Sequence, residues 1–202
     1  MAQSGRSAQG GRRRCRHLAS RAGLPHLAGV SDRTEAADAA SKRLSPWLAG
    51  LMALVPVVVV SLLGNAATMP QIPTWYPTLV KPPFNPPNWV FGPVWTTLFL
   101  LMAIGAYRIL RLPAATQGRF QALSVYHLQL ALNLAWSCVF FGLQSPLGGL
   151  LVIVPFLATI LLTIALFAPL DRLAAHLQWP YVAWVSFATV LNASIWWLNR
   201  GA

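Results

Sequence analysis

From residue 46 to residue 198 the chain alternates between long apolar runs and short polar breaks. A helix that crosses a membrane takes roughly 17–25 mainly apolar residues. Five runs reach that length: about Pro46 to Ala67, Trp89 to Leu110, Phe120 to Leu143, Leu147 to Leu170 and Trp179 to Leu198. Pro93 falls in the first turns of the second run, where proline is tolerated. Pro56 and Pro155 lie inside the first and fourth runs, where neighbouring helices can satisfy the carbonyls they free. The pattern predicts an all-α membrane protein, a bundle of five transmembrane helices.

The break between the first two runs is unlike the others. From Trp75 to Trp89 it carries Pro77, Pro82, Pro83, Pro86 and Pro87 among Tyr76, Lys81 and Phe84. Each proline fixes φ and removes a backbone donor, so the segment is neither membrane helix nor slack coil. It predicts a stiff aromatic lid over one end of the bundle, built from Trp75, Tyr76, Lys81, Pro82, Phe84, Pro86, Pro87 and Trp89.

Composition supports the membrane reading. Apolar residues make up 56% of the chain and charged ones 9%, and the mean hydropathy is +0.55. A soluble domain of this size needs a polar shell that so few charges cannot supply. The formal net charge of +11 is concentrated in residues 1–43, where arginines from Arg6 to Arg43 face only Asp32, Glu35 and Asp38. A basic, Ser/Ala/Gly-rich leader of this kind predicts an N-terminal extension outside the fold, a transit-like segment or the product of a mis-assigned start. Its low complexity beside a hydrophobic domain argues against a nucleic-acid partner. Cys15 and Cys138 show neither metal spacing nor a disulfide framework, and no metal site is expected.

Basic residues in short loops set orientation. Lys42 and Arg43, then Arg108, Arg111 and Arg119, then Arg172 fall on one side of a five-span topology. The other side has Lys81 and Arg200. The expectation is an N-terminus inside, with the C-terminus and the proline segment outside.

Polar and aromatic residues within the spans carry the functional signal, because each is costly in lipid unless it faces protein or a cavity. Gln129, Asn133 and Trp136 share one face of the third span, and Trp184, Ala188, Leu191 and Asn192 share one face of the fifth. Phe91 and Trp95 stand one turn apart in the second. Each face alone reads as helix packing and interhelical hydrogen bonding, worth about 0.6–2 kcal/mol per bond. Three helices that each bring a non-terminal tryptophan point further, to a pocket for a flat, largely apolar ligand. Tetrapyrroles and sterols both fit that description. Trp47, Trp89, Trp179, Trp196 and Trp197 lie near span ends, as an aromatic belt requires. Ala131 and Ala135 form a small-xxx-small pair suited to a dimer seam.

Catalytic chemistry is thinly represented. His127 and His176 have no carboxylate in pairing distance along the sequence, and the spans hold no central acid. There is no nucleophile–base pair, phosphate loop or zinc spacing.

The run WYPTLVKPPFNPPNWVFGPVWTTLFLLM, from Trp75 to Met102, resembles the signature of the tryptophan-rich sensory protein / translocator protein family, TspO/MBR, also known as the peripheral benzodiazepine receptor family. QLALNLAWSCVFFG and PYVAWVSFATVLNASIWWLN resemble its third- and fifth-helix motifs, and the likeness covers about residues 46–200. It implies a five-helix bundle, commonly a homodimer, with a ligand cavity closed by the first loop. It implies binding of porphyrins such as protoporphyrin IX and haem, and in some members of cholesterol and benzodiazepine-type drugs. Trp95, Trp136, Trp184, Ala188 and Leu191 match positions that line the cavity in the family. Trp95 and Trp184 match the tryptophans implicated in light- and oxygen-dependent porphyrin breakdown, which makes them the candidate catalytic residues.

Two departures stand out. Phe84 replaces a usual tryptophan, and Ala193-Ser194 replaces the tyrosines of the animal sterol motif. The second favours a tetrapyrrole over a sterol, and a bacterial plasma membrane, with a mitochondrial or other organellar membrane the alternative if the N-terminal extension is a real leader. The resulting expectation is a membrane tetrapyrrole-binding protein, acting as sensor, carrier or regulator of porphyrin levels and needing no cofactor. The ligand-binding set is Phe91, Trp95, Asn133, Trp136, Trp184, Ala188 and Leu191. A porphyrin-degrading enzyme and a sterol or lipid transporter are the alternatives.

Overall fold

The computed structural model describes residues 43–201; the extension expected over residues 1–43 lies, apart from Arg43, outside them. The described chain forms α1 (Pro46–Thr68), α2 (Phe91–Leu110), α3 (Arg119–Ser137), α4 (Pro146–Phe167), the short α5 (Arg172–His176) and α6 (Trp179–Asn199). No strand occurs among the described residues. Five helical stretches are long and apolar enough to cross a membrane, and the chain is an integral, multi-pass membrane protein.

Two of the long helices begin at a serine followed by a proline. Ser45 accepts from Leu48 N at 3.3 Å, with Pro46 at the first helical position. Ser145 and Pro146 repeat the arrangement at α4, satisfying a donor that the helix itself cannot. The fourth helix ends at Phe167, short of the expected Leu170. Pro169 has no N–H to continue the ladder, and Asp171 instead caps α5 by accepting from Ala174 N at 2.9 Å. Pro56 and Pro155 both lie within intact helices.

The buried stripe of α1 is Ala49, Ala53, Val57, Val60 and Gly64, spaced three or four apart. Its other faces expose Leu51, Leu54, Val55 and Leu62. Lipid tails are as apolar as leucine, so burying large apolar groups drives little association there; close backbone approach and hydrogen bonds do more. Small buried residues recur at Ala103, Gly105 and Ala106 of α2. The helix α1 packs on α2 and α3, α3 on α4, and α4 on α6. Large rings join α2 to α6, Trp95 to Tyr181 at 6.2 Å and Phe91 to Trp184 at 5.6 Å between centroids.

Two features prepare the end of the bundle nearest the proline loop. A π-helical turn, Cys138–Gly142, follows α3, and Leu143 N reaches Cys138 O at 2.8 Å. The extra residue in that turn brings two consecutive side chains inward, so Phe140 and Phe141 are both buried. The loop itself is tied to the far end of the chain. Val80 N donates to Asn199 Oδ1 at 3.0 Å, and Asn199 Nδ2 donates back to Val80 O at 2.9 Å.

At the opposite end, arginines close the helix termini. Arg119 donates to the carbonyls of Ile109 and Leu110 at 3.2 and 3.0 Å, satisfying the end of α2. Arg111 donates to Leu44 O at 2.6 Å. Arg108 pairs with Asp171 at 2.8 Å.

Candidate functional site

Beneath the proline loop, α1, α2 and α3 enclose a cavity of about 610 Å³. The helix α2 contributes Phe91, Trp95 and Phe99 on one face, and α3 contributes Asn133, Trp136 and Ser137. From α1 come Ser61, Gly64, Asn65 and Thr68. The loop lends Tyr76 and Trp89. Exposed Leu62 and Asn65 of α1, Met69 just after it, and Gly92 and Thr96 of α2 stand at the rim.

The polar residues of α1 were not singled out from the sequence. Their signal is the spacing: Ser61, Asn65 and Thr68 recur at i, i+4 and i+7 within an otherwise aliphatic span, which puts all three on one face.

The wall of the cavity is braced from behind. Trp95 meets Tyr181 edge-on and lies tilted against Phe99 at 5.5 Å. Trp136 Nε1 donates to Asn192 Oδ1 at 3.1 Å while its ring stacks on Phe140. Asn133 Nδ2 donates to the hydroxyl of the fully buried Tyr181 at 2.8 Å. Asn133 is also one of the residues that line the cavity. The site thus combines aromatic rings with polar side chains from α1 and α3. Deeper in the bundle, Gln129 approaches Gln178 at 3.5 Å, both fully buried. The shared face of Gln129, Asn133 and Trp136 thus points to α6 and the turn before it.

Trp184, Ala188 and Leu191 are placed elsewhere. They occupy one side of α6, as their spacing requires, but none borders this cavity. Trp184 lies behind Phe91 and tilts against Phe187 at 5.6 Å. Ala188 packs against the main core. Leu191 is buried in a second cluster with Tyr76, Phe140 and Phe141. The rings of Phe91, Trp95 and Trp136 fill the space between α6 and the cavity.

The loop residues divide similarly. Tyr76 is buried, and its hydroxyl donates to Asn85 Oδ1 at 2.8 Å; burial pushes its phenol above the ordinary value. Lys81 sits 4.8 Å over the Tyr76 ring and donates to Leu79 O. Pro82 is buried, Pro86 half-buried and Pro87 exposed. Trp75 packs edge-on against Phe140 and Phe141, away from the cavity. Phe84 meets Phe187 at 6.3 Å. Trp89, 75% exposed, stands at the cavity mouth.

Among the described residues lining the cavity none is Asp, Glu, His, Lys, Arg or Cys. Nor does any group of His, Cys, Asp and Glu among the described residues have the makings of a metal site. The lining has the means to stack on a flat ligand and to hydrogen-bond it at a few points. It has neither an acid–base pair nor a His or Cys to ligate iron.

Comparison with known proteins agrees with this architecture. The tryptophan-rich protein TspO of Chlorobaculum tepidum is 42% identical over 142 residues, 70% of this chain and 90% of that protein. The protein of the same name from Archaeoglobus fulgidus is 38% identical over 146 residues, 72% of this chain and 94% of that protein. The human translocator protein is 38% identical over 128 residues, 63% of this chain and 76% of that protein. The sequence model of the TspO/MBR family matches residues 52–198, which hold all five spans almost from end to end, and the chain belongs to that family.

Proposed function

We propose that this protein binds a tetrapyrrole in the cavity under the proline loop and acts as a sensor, carrier or regulator of porphyrin levels. The observation that carries the reading is the wall itself: Phe91, Trp95 and Trp136 around about 610 Å³, with Asn133 among the polar residues of the lining. Small-molecule sites span roughly 300–1,000 Å³, mostly apolar with a few placed polar groups. The faces of the rings stack on a flat macrocycle, while Asn133 and the α1 polar stripe read its edge. With no His or Cys in the lining, the donor set suits metal-free protoporphyrin IX better than haem held by an axial ligand. The loop serves as the lid, with Tyr76 and Trp89 as the side chains it turns to the cavity.

The distribution of basic residues orients the protein. Arg43, Arg108, Arg111, Arg119 and Arg172 gather at the end away from the loop, against Lys81 and Arg200 at the loop end. Lys/Arg excess marks the inner side, so the N-terminal end faces inward and the lid outward. Cysteine introduced at position 85 is then labelled from outside; labelling from inside alone overturns the orientation.

Titrating the protein with protoporphyrin IX and following tryptophan fluorescence tests the function. Saturable quenching is expected, weakened when Trp95 and Trp136 are both changed to phenylalanine. Unchanged affinity in that double variant defeats the assignment of the site. A second reading, an enzyme that destroys porphyrin with light or oxygen, draws on the Trp95 ring at the cavity wall. Loss of the Soret band over many turnovers under illumination favours it, and bleaching that stops at one equivalent speaks against it.

A further inference from the structure

Trp136 borders the cavity, yet its one polar atom is committed elsewhere. Its Nε1 donates to Asn192 Oδ1 at 3.1 Å, and Asn192 is 1% exposed. The same amide donates through Nδ2 to Pro146 O at 2.7 Å. An indole N–H only donates and a carbonyl only accepts, so the two partners fix which end of the amide is which. Phe140 stacks on the Trp136 ring with centroids 5.4 Å apart and 22° between planes. Gly149 of α4 permits this approach, since a Cβ there would lie 2.8 Å from both Asn192 Oδ1 and the Phe140 ring.

We propose that Asn192 is a positioning residue for the cavity: it occupies the only donor of Trp136 and sets the tilt of its ring, so that this wall offers a π-surface and no N–H. The inference rests on the ligand-binding reading above. The helix α6 then shapes the site without bordering it. A flat ligand meets the α3 wall by stacking and takes its hydrogen bonds from Asn133 and α1. A purely structural role is the competing account, because Asn192 also ties α6 to the first turn of α4.

The two accounts separate through the indole proton. The full-length protein in nanodiscs is labelled with ¹⁵N-indole tryptophan, and the W136F spectrum identifies the Trp136 resonance. Asn192→Leu is expected to shift that resonance and speed its exchange with solvent, with no ligand present. In protoporphyrin IX titrations Asn192→Leu is expected to weaken binding about fivefold in the wild-type background. In the W136F background it is expected to have no further effect, since the donor is already gone. A resonance that does not respond overturns the proposal, and so does an equal loss of affinity in both backgrounds. Should Asn192→Leu fail to fold, Gly149→Ala presses on the same amide and is expected to move the same resonance; no movement again overturns it. If the wild-type protein does not bind protoporphyrin IX, the ligand-binding reading falls. The indole resonance still decides whether Asn192 holds Trp136.

Discussion

Phe91 stands between Trp184 and the cavity, with 5.6 Å separating the two ring centroids. A tryptophan one layer back influences a ligand only by steadying the ring in front of it. Replacing Trp95 with leucine removes a stacking surface worth about 0.5–1.5 kcal/mol, or roughly 2- to 10-fold in affinity. Trp184→Leu is expected to cost less than Trp95→Leu in the same protoporphyrin titration, and the reverse order would move the site towards α6. The contrast also shows what spacing reveals. Residues three and four apart share a face, so Phe91 with Trp95, and Asn133 with Trp136, are legible as pairs from the sequence. Spacing does not say which neighbour a face meets: Trp184 meets Phe91 of α2, whereas Asn192 of the same face meets Trp136 of α3. Ser61, Asn65 and Thr68 were legible in principle, but small polar side chains in a long aliphatic span attract less notice than tryptophans. Gly149 gives a second test at this scale. A methyl group there meets atoms 2.8 Å away, and overpacking of that kind costs about 1–3 kcal/mol. Gly149→Ala is expected to lower the thermal midpoint, whereas Gly50→Ala, with open space around its Cβ position, is expected to leave it nearly unchanged.

At the level of elements, the five spans could be read because a stretch of apolar residues long enough to cross lipid needs no partner to be recognised. The path of the proline loop could not. Its stiffness follows from its prolines, but its anchorage depends on Val80 and Asn199, 119 positions apart, finding each other. A second tie joins Gln144 Nε2 to Gln71 Oε1 at 2.9 Å, and Gln144 takes a positive φ of 53° to make the turn. Both ties are exposed to solvent, so each contributes little to global stability. Their effect belongs to the loop. Asn199→Ala is expected to raise the rate of porphyrin release several-fold, as net hydrogen-bond energies of about 1 kcal/mol allow, with the melting temperature little altered. Stopped-flow displacement measures the rate, and an unchanged rate would mean that the loop does not gate the cavity.

The described bundle is polarised, aromatic at the end that carries the proline loop and arginine-closed at the other. The arginine end is held by hydrogen bonds to helix carbonyls and by one ion pair among the described residues, Arg108 with Asp171. Partial burial raises the Asp171 carboxyl, but hydrogen bonds from Arg108 and the Ala174 N–H, with the Arg108 charge, hold it below its ordinary 3.8. A carboxyl depressed in the folded state adds stability that is present above its unfolded value and is lost as pH falls through the folded one. Arg108 is 40% exposed, so solvent screening limits the pair to about 0.5–1 kcal/mol. Asp171→Asn keeps a cap for α5 while removing the charge. It is therefore expected to lower the melting temperature by about 1–3 °C near pH 7, and the gap from wild type is expected to close as pH drops below 3.8. Paired melts across that window in detergent decide the matter. If the two proteins melt together at pH 7, Asp171 acts as a helix cap alone, a role that asparagine keeps, and the arginine end is held by its carbonyl contacts without help from charge.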